Sequence, residues 1–128
     1  MDTGTDKILL AAYGTLRQGW GNASAYLSGK DVIHIGTGVT VEKYTMRASG
    51  IPYVSKKPTS QIVIDLWSVD KSTLTRVDAL EGHPEWYVRE EIPVIVDGKE
   101  YKAWLYFNEG SNANIIANGD FNSVRKNV

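Results

Sequence analysis

The chain has 128 residues, 42% of them hydrophobic, 10% aromatic and 23% charged, the make-up of an ordinary globular protein. Fourteen Lys and Arg stand against fifteen Asp and Glu for a formal charge of −1, so neither a nucleic-acid backbone nor an anionic membrane surface is an expected partner. Cys is absent and His occurs only twice, at positions 34 and 83, which removes disulfides, thiol catalysis and cysteine-based zinc sites.

The opening Met-Asp-Thr-Gly-Thr-Asp-Lys lacks the basic-then-apolar layout of a signal peptide. No apolar run approaches the roughly 18 residues of a membrane span, so the cytoplasm is the expected compartment. Lys7 to Tyr13 is a short apolar run of strand length that stops at a glycine. Gly14 to Asn22 holds three glycines and reads as a loop, with Asn22 placed to N-cap a short helix through Leu27. Asp31 to Thr45 is rich in β-branched residues but carries Gly36 and Gly38, which predicts strands with a bend or bulge. Gln61 to Val69 is a further strand, largely apolar and β-branched.

A helix is expected between Asp70 and Gly82. Asp70 or Ser72 caps its start, Leu74, Val77 and Leu80 form its buried stripe, and Gly82 supplies the left-handed residue that ends it. Beyond it, Tyr87 to Val96 and Lys99 to Phe107 flank Asp97-Gly98, a strong two-residue hairpin signal. The Asn- and Gly-rich tail from Glu109 either folds over the sheet or frays. No repeat or charge block divides the chain, which predicts a single domain over residues 1–128. Many strands with one good helix predict an α+β fold, its sheet curled or closed into a barrel.

Glu81 is the carboxylate that the pattern singles out. Standing four residues after Val77 and seven after Leu74, it projects near the apolar stripe. Burial, the negative helix end and Asp78 one turn earlier would each disfavour its ionised form and raise its pKa. A carboxylate poised near neutral pH is what general acid–base catalysis needs. A two-residue turn pairs Val96 with Lys99, Val94 with Tyr101, Ile92 with Ala103 and Arg89 with Tyr106. That register puts Val88, Ile92, Val94, Tyr101, Ala103, Leu105 and Phe107 on one apolar face. Tyr87, Arg89, Trp104 and Tyr106 then gather on the other, near Glu81, as a pocket wall or as an outer face packed under the tail.

Tyr13-Gly14-Thr15-Leu16 leaves a strand through a glycine and exposes consecutive backbone N–H groups, a nest suited to a carboxylate or a developing oxyanion. His34 reads as a solvent-side strand residue. His83 is read as a carbonyl cap close enough to tune Glu81, and Arg17 as a solvated loop arginine. No Gly-x-Ser-x-Gly elbow and no helical His-x-x-x-His spacing appear, so neither a serine triad nor a metal is expected.

Tyr-Gly-Thr-Leu-Arg-x-Gly from Tyr13 resembles the signature of the γ-glutamylcyclotransferase-like family, especially its γ-glutamylamine cyclotransferase branch. So does the later run of Val69-Asp70, Leu74, Val77-Asp78, Leu80-Glu81-Gly82-His83-Pro84, Tyr87 and Arg89. Ile51-Pro52-Tyr53, Ala103 to Tyr106 and Gly119-Asp120-Phe121 also look like family positions, and the match runs from Ile8 to about Arg125. The resemblance implies a small closed β-barrel with flanking short helices and a cavity at its mouth. It also implies cleavage of γ-glutamyl amides by internal cyclisation, releasing 5-oxoproline and a free amine without cofactor or metal. On that resemblance the catalytic glutamate is Glu81, and the substrate is held by Tyr13, Gly14, Thr15, Leu16 and Tyr87. Ile64 and Asp65 depart from the family's usual Gly-Glu, and Phe121 stands where tryptophan is common. The reading from a different class is a non-catalytic module that binds a small molecule or a partner on the same barrel.

Overall fold

β1 (Ile8–Ala12) supplies both faces of the molecule with apolar side chains, which is why its sequence is nearly continuous in them. Leu9 and Ala11 join the cluster that fills the barrel and the space beneath the second sheet. Ile8, Leu10 and Ala12 join the cluster between barrel and helices. The computed structural model of the chain describes residues 7–125; the expectation of no leader at residues 1–6 lies outside them. α1 (Gly21–Tyr26) and α2 (Lys71–Glu81) cover β1 from outside, burying Ala23, Leu74 and Val77. Full burial of each large aliphatic side chain stabilises by about 1.5–3 kcal/mol.

The remaining barrel strands are β2 (Ile33–Thr40), β5 (Val63–Val69), β6 (Val88–Val96) and β7 (Lys99–Phe107). They close in the order β1-β5-β2-β6-β7, antiparallel throughout except for the parallel β7–β1 seam at Leu10 and Trp104. The β6–β7 hairpin keeps the expected register, Val96 on Lys99 through Arg89 on Tyr106. Asp97 and Gly98, with φ of 52° and 78°, form the turn with both central residues left-handed. Val88 is the exception on the apolar face: it lies at the open end of the hairpin and is exposed. β2 bears the expected irregularity, a register shift between His34 and Gly36.

A second sheet, ordered β4-β3-β8, was not legible in the sequence. It comprises β3 (Tyr44–Ser49), β4 (Ile51–Ser60) and β8 (Asn114–Ile115). Pro52 and Pro58 interrupt the strand pattern of β4, and they are tolerated because β4 is an edge strand. The tail takes the first of its two expected courses and folds over the sheet. Gly119 accepts a hydrogen bond from the Val63 N–H, and Phe121, opening α3 (Phe121–Arg125), stacks 5.0 Å from the Trp20 ring.

The helix caps differ in detail from expectation. Gly82 ends α2 in the left-handed conformation with φ 68°. Asp70 starts it, but its carboxylate accepts the hydroxyls of Ser72 and Thr73 rather than a helical N–H. Asn22 lies inside α1, with Trp20 at the N-cap position, and its Nδ2 donates to the Thr15 hydroxyl at 2.8 Å. No helix among the described residues is long and apolar enough to cross a membrane.

Candidate active site

A cavity of about 210 Å³ opens where β1 runs into its glycine turn. Tyr13, Gly14, Thr15, Leu16, Glu81 and Tyr87 all line it, although the chain separates the first of them from the last by more than half its length. Ile51 and Pro52 of β4, Leu80 of α2, Trp86 and Tyr106 complete much of the wall. Leu80, expected in the buried stripe, is half-buried because it faces this opening.

Glu81 reaches the cavity because it is the last residue of α2, one turn beyond the buried Val77. No hydrogen bond or ion pair among the described residues engages its carboxylate. Burial alone pushes its pKa up to about 7. Asp78, one turn earlier, is engaged elsewhere. Arg89 grips Asp78 in a two-pronged contact, Nε at 2.8 Å and Nη2 at 3.1 Å, and the Tyr106 hydroxyl donates to it as well. Burial pushes the Asp78 carboxyl up, but the Arg89 and Tyr106 hydrogen bonds outweigh it, and the net shift is downward. Two carboxylates one helical turn apart are thus pushed in opposite directions, Asp78 toward its ionised form and Glu81 toward neutrality.

Of the four side chains expected together near Glu81, Tyr87 and Tyr106 line the cavity, whereas Arg89 and Trp104 form the outer face beside it. Arg89 stacks on Trp104, 4.5 Å from its ring, and serves Asp78 instead. His83 caps a carbonyl as expected, its backbone N–H donating to that of Asp78 at 3.0 Å, but among the described residues no hydrogen bond joins its ring to Glu81. Its Nδ1 accepts the Arg89 N–H at 3.3 Å and its ring packs edge-on against Tyr106.

In the turn, the Arg17 N–H donates to the Gly14 carbonyl at 2.9 Å. Among the described residues, no hydrogen bond uses the N–H groups of Gly14, Thr15 or Leu16. These donors are available to an anion in the cavity. A Cβ on Gly14 would lie 2.6 Å from Cγ of Pro52, so any side chain there displaces turn or wall. Gly14→Ala is expected to raise KM roughly tenfold while shifting the melting temperature by only a few degrees, since the strain falls on the cavity rather than the core. Initial-rate kinetics beside a thermal melt check this.

The tyrosines are walls, not acids. Tyr13 donates its hydroxyl to the Tyr106 carbonyl at 2.7 Å, and Tyr87 donates to the Pro52 carbonyl at 2.9 Å. Burial above all holds both phenols well above their ordinary pKa, helped at Tyr13 by neighbouring Tyr87 and then Glu81, and at Tyr87 by Glu81. Tyr53 stacks face to face on Tyr87 at 5.9 Å, and Trp86 meets Tyr87 edge-on at 5.0 Å. On this side of the site Tyr87 is expected from the sequence, Tyr53 is hinted at only through the tripeptide Ile51-Pro52-Tyr53 with no assigned role, and Trp86 carries no signal. Among the described residues no group of three or more His, Asp or Glu side chains is arranged to hold a metal ion.

Two solvated readings are overturned. Arg17 is 5% exposed and pairs with Asp65 and Asp120. His34 places Nε2 3.0 Å from Asp65 and its ring against Trp67. Their partners lie far away in sequence, so strand alternation could not reveal them.

The sequence profile described as "Gamma-glutamyl cyclotransferase, AIG2-like" matches residues 10–123. A γ-glutamylcyclotransferase candidate of Methanocaldococcus jannaschii is 44% identical over 115 residues, covering 88% of this chain and 94% of its own. The γ-glutamylaminecyclotransferase of Xenopus laevis is 35% identical over 79 residues, 56% of each chain. Among solved structures, an AIG2-like protein of Mus musculus superposes with a TM-score of 0.74 at 25% identity, covering 82% of this chain and 79% of that one.

Proposed function

The chain belongs to the AIG2-like γ-glutamyl cyclotransferase family, and we propose that it converts γ-glutamyl amines into 5-oxoproline and a free amine, with Glu81 as general base and then acid. The observation that carries this reading is a single one. A half-buried carboxylate shares a small cavity with the N–H groups of Gly14, Thr15 and Leu16, and none of these groups has a hydrogen-bond partner among the described residues. The kinship with a γ-glutamylaminecyclotransferase supports the amine as leaving group.

The chemistry needs little else. The Glu81 carboxylate takes a proton from the substrate's own α-amine, which attacks the γ-carbonyl and closes a five-membered ring. The oxygen of that carbonyl gains negative charge, and the N–H groups of Gly14, Thr15 and Leu16 hold either this oxyanion or the substrate's α-carboxylate. Glu81 returns the proton to the leaving nitrogen as the C–N bond breaks. Because nucleophile and electrophile belong to one molecule, holding them in near-attack geometry contributes on the order of 7–11 kcal/mol to lowering the barrier. The aromatic wall of Tyr13, Trp86, Tyr87 and Tyr106, with Tyr53 stacked behind Tyr87, keeps the site apolar, which also sustains the raised pKa of Glu81.

The test is a panel of γ-glutamyl amides, with 5-oxoproline read by mass spectrometry before and after dialysis against a strong chelator. Release of 5-oxoproline at an unchanged rate after dialysis is the expected result. Binding of the panel without turnover would establish the non-catalytic module instead. A loss on dialysis that zinc or manganese restores would overturn the metal-independent mechanism.

A further inference from the structure

Both ends of the cavity turn are fastened to one residue. Ala12, the last residue of β1, pairs in the ladder with Asp65 of β5. Beyond the turn, the N–H of Gln18 donates to Oδ2 of the same Asp65 at 3.1 Å, and Arg17 Nε donates to that oxygen at 3.0 Å. The other oxygen is filled from β2, by the Thr37 hydroxyl and by His34 Nε2. Arg17 then extends through Nη1 to Asp120 at 2.8 Å, which ties the tail to the same point.

The placement is costly unless it serves something. Asp65 is 2% exposed and lies on the face of β5 whose neighbours Trp67 and Val69 are apolar. An aliphatic residue would cover that face without desolvating a charge. Burial pushes the carboxyl up, yet the hydrogen bonds from Thr37, His34 and Arg17 outweigh it, and the group is held in its ionised form. What a polar side chain with two hydrogen-bonding atoms does here, and an aliphatic one cannot, is join β2 to the far end of the turn and so close residues 13–17 into a chord of fixed length.

We propose that Asp65 is a positioning residue: through Gln18 and Arg17 it holds the N–H groups of Gly14, Thr15 and Leu16 aimed into the cavity. The substrate-handling part of this rests on the function proposed above; the mechanical part, a turn held rigid from one side chain, does not. Asparagine at 65 can reproduce the pattern, with its oxygen toward Arg17 and Gln18 and its amide donating to Thr37 and His34. Alanine cannot.

The experiment compares Asp65→Ala and Asp65→Asn with the parent, by backbone nitrogen-15 relaxation without substrate and by kinetics with a γ-glutamyl amide. In parent and Asp65→Asn, order parameters of Gly14 to Leu16 should sit near the rigid value of about 0.85, and in Asp65→Ala below about 0.6, with the β6–β7 hairpin unchanged. KM should rise at least roughly tenfold in Asp65→Ala and stay within about threefold in Asp65→Asn, since misplaced donors lose binding and orientation. The pH midpoint of the remaining activity should not move, because Glu81 is untouched. A folded Asp65→Ala whose turn stays rigid overturns the proposal, and so does an unchanged KM. Should Asp65→Ala not fold, Asp65→Ser, whose hydroxyl is too short to reach Arg17 and Gln18 together, carries the same comparison. A loosened turn in a protein that makes no 5-oxoproline would sink the proposed function and leave the positioning role standing.

Discussion

Glu81→Gln is expected to slow 5-oxoproline release by about 100- to 10,000-fold, toward the upper end because one group serves both proton transfers. The amide matches the carboxylate in size, and no ion pair or hydrogen bond among the described residues is broken by the exchange. What disappears is the capacity to take and return a proton. In the parent, burial raises the Glu81 pKa to about 7, so the carboxylate is the minor form below that pH. Its rate should therefore climb with pH through an apparent midpoint near 7, whereas the residual rate of the variant should lack that limb. The sign for stability is opposite. Between the ordinary value of 4.5 and about 7 the folded state binds more protons than the unfolded one, so parent stability falls as pH rises through that window. Glutamine never ionises, and Glu81→Gln should melt at least as high as the parent at pH 8. A folded variant that keeps more than about a tenth of parental activity would remove Glu81 from the mechanism.

Gly38→Ala should cost about 3 kcal/mol or more and lower the melting temperature by roughly 10 °C. β2 is the middle strand of the barrel order, paired with β5 on one side and β6 on the other. At Gly38 the neighbouring backbone comes so near that a Cβ would lie 1.9 Å from the Ile95 carbonyl oxygen, with a Val96 methyl at 2.8 Å. A side-chain methyl could yield; a carbonyl in a paired strand cannot move without stretching the β2–β6 ladder. Gly21→Ala is the matched control, since it lies in α1 with nothing within 4 Å of the added carbon. There the change should be neutral or stabilising by up to about 1 kcal/mol. Thermal or denaturant unfolding of the two variants decides the matter. If Gly38→Ala melts within about 3 °C of the parent, close approach is not what requires glycine.

Much of the site could be read before the fold was known, because its parts carry short-range signals. The phase of Leu74, Val77 and Glu81 depends only on 3.6 residues per turn, and Gly82 marks the stop with its left-handed conformation. Asp97-Gly98 sets the hairpin register from two residues, which brought Tyr87 and Tyr106 to the right side of β6 and β7. The same register misled for Arg89. It placed the guanidinium on the correct face but could not tell which carboxylate of α2 it would reach, and that choice decides which acid stays ionised.

The elements whose causes are local could be read without the fold: strand β1 with its glycine exit, helix α2 with both ends, the bulged glycine strand and the β6–β7 hairpin. Periodicity, caps and turn residues act over a few positions, and they need no partner to be legible. What surrounds each charge emerged from long-range packing alone. Arg17 and His34 look like solvated residues until Asp65 arrives from 48 and 31 positions away, and Asp120 from 103. The β3–β4 hairpin likewise emerges only when its prolines find an unpaired edge. The physical reason is desolvation. Whether a charged side chain is costly, neutral or catalytic depends on the groups that exclude water around it, and those are assembled by closure of the barrel rather than by neighbours in the chain.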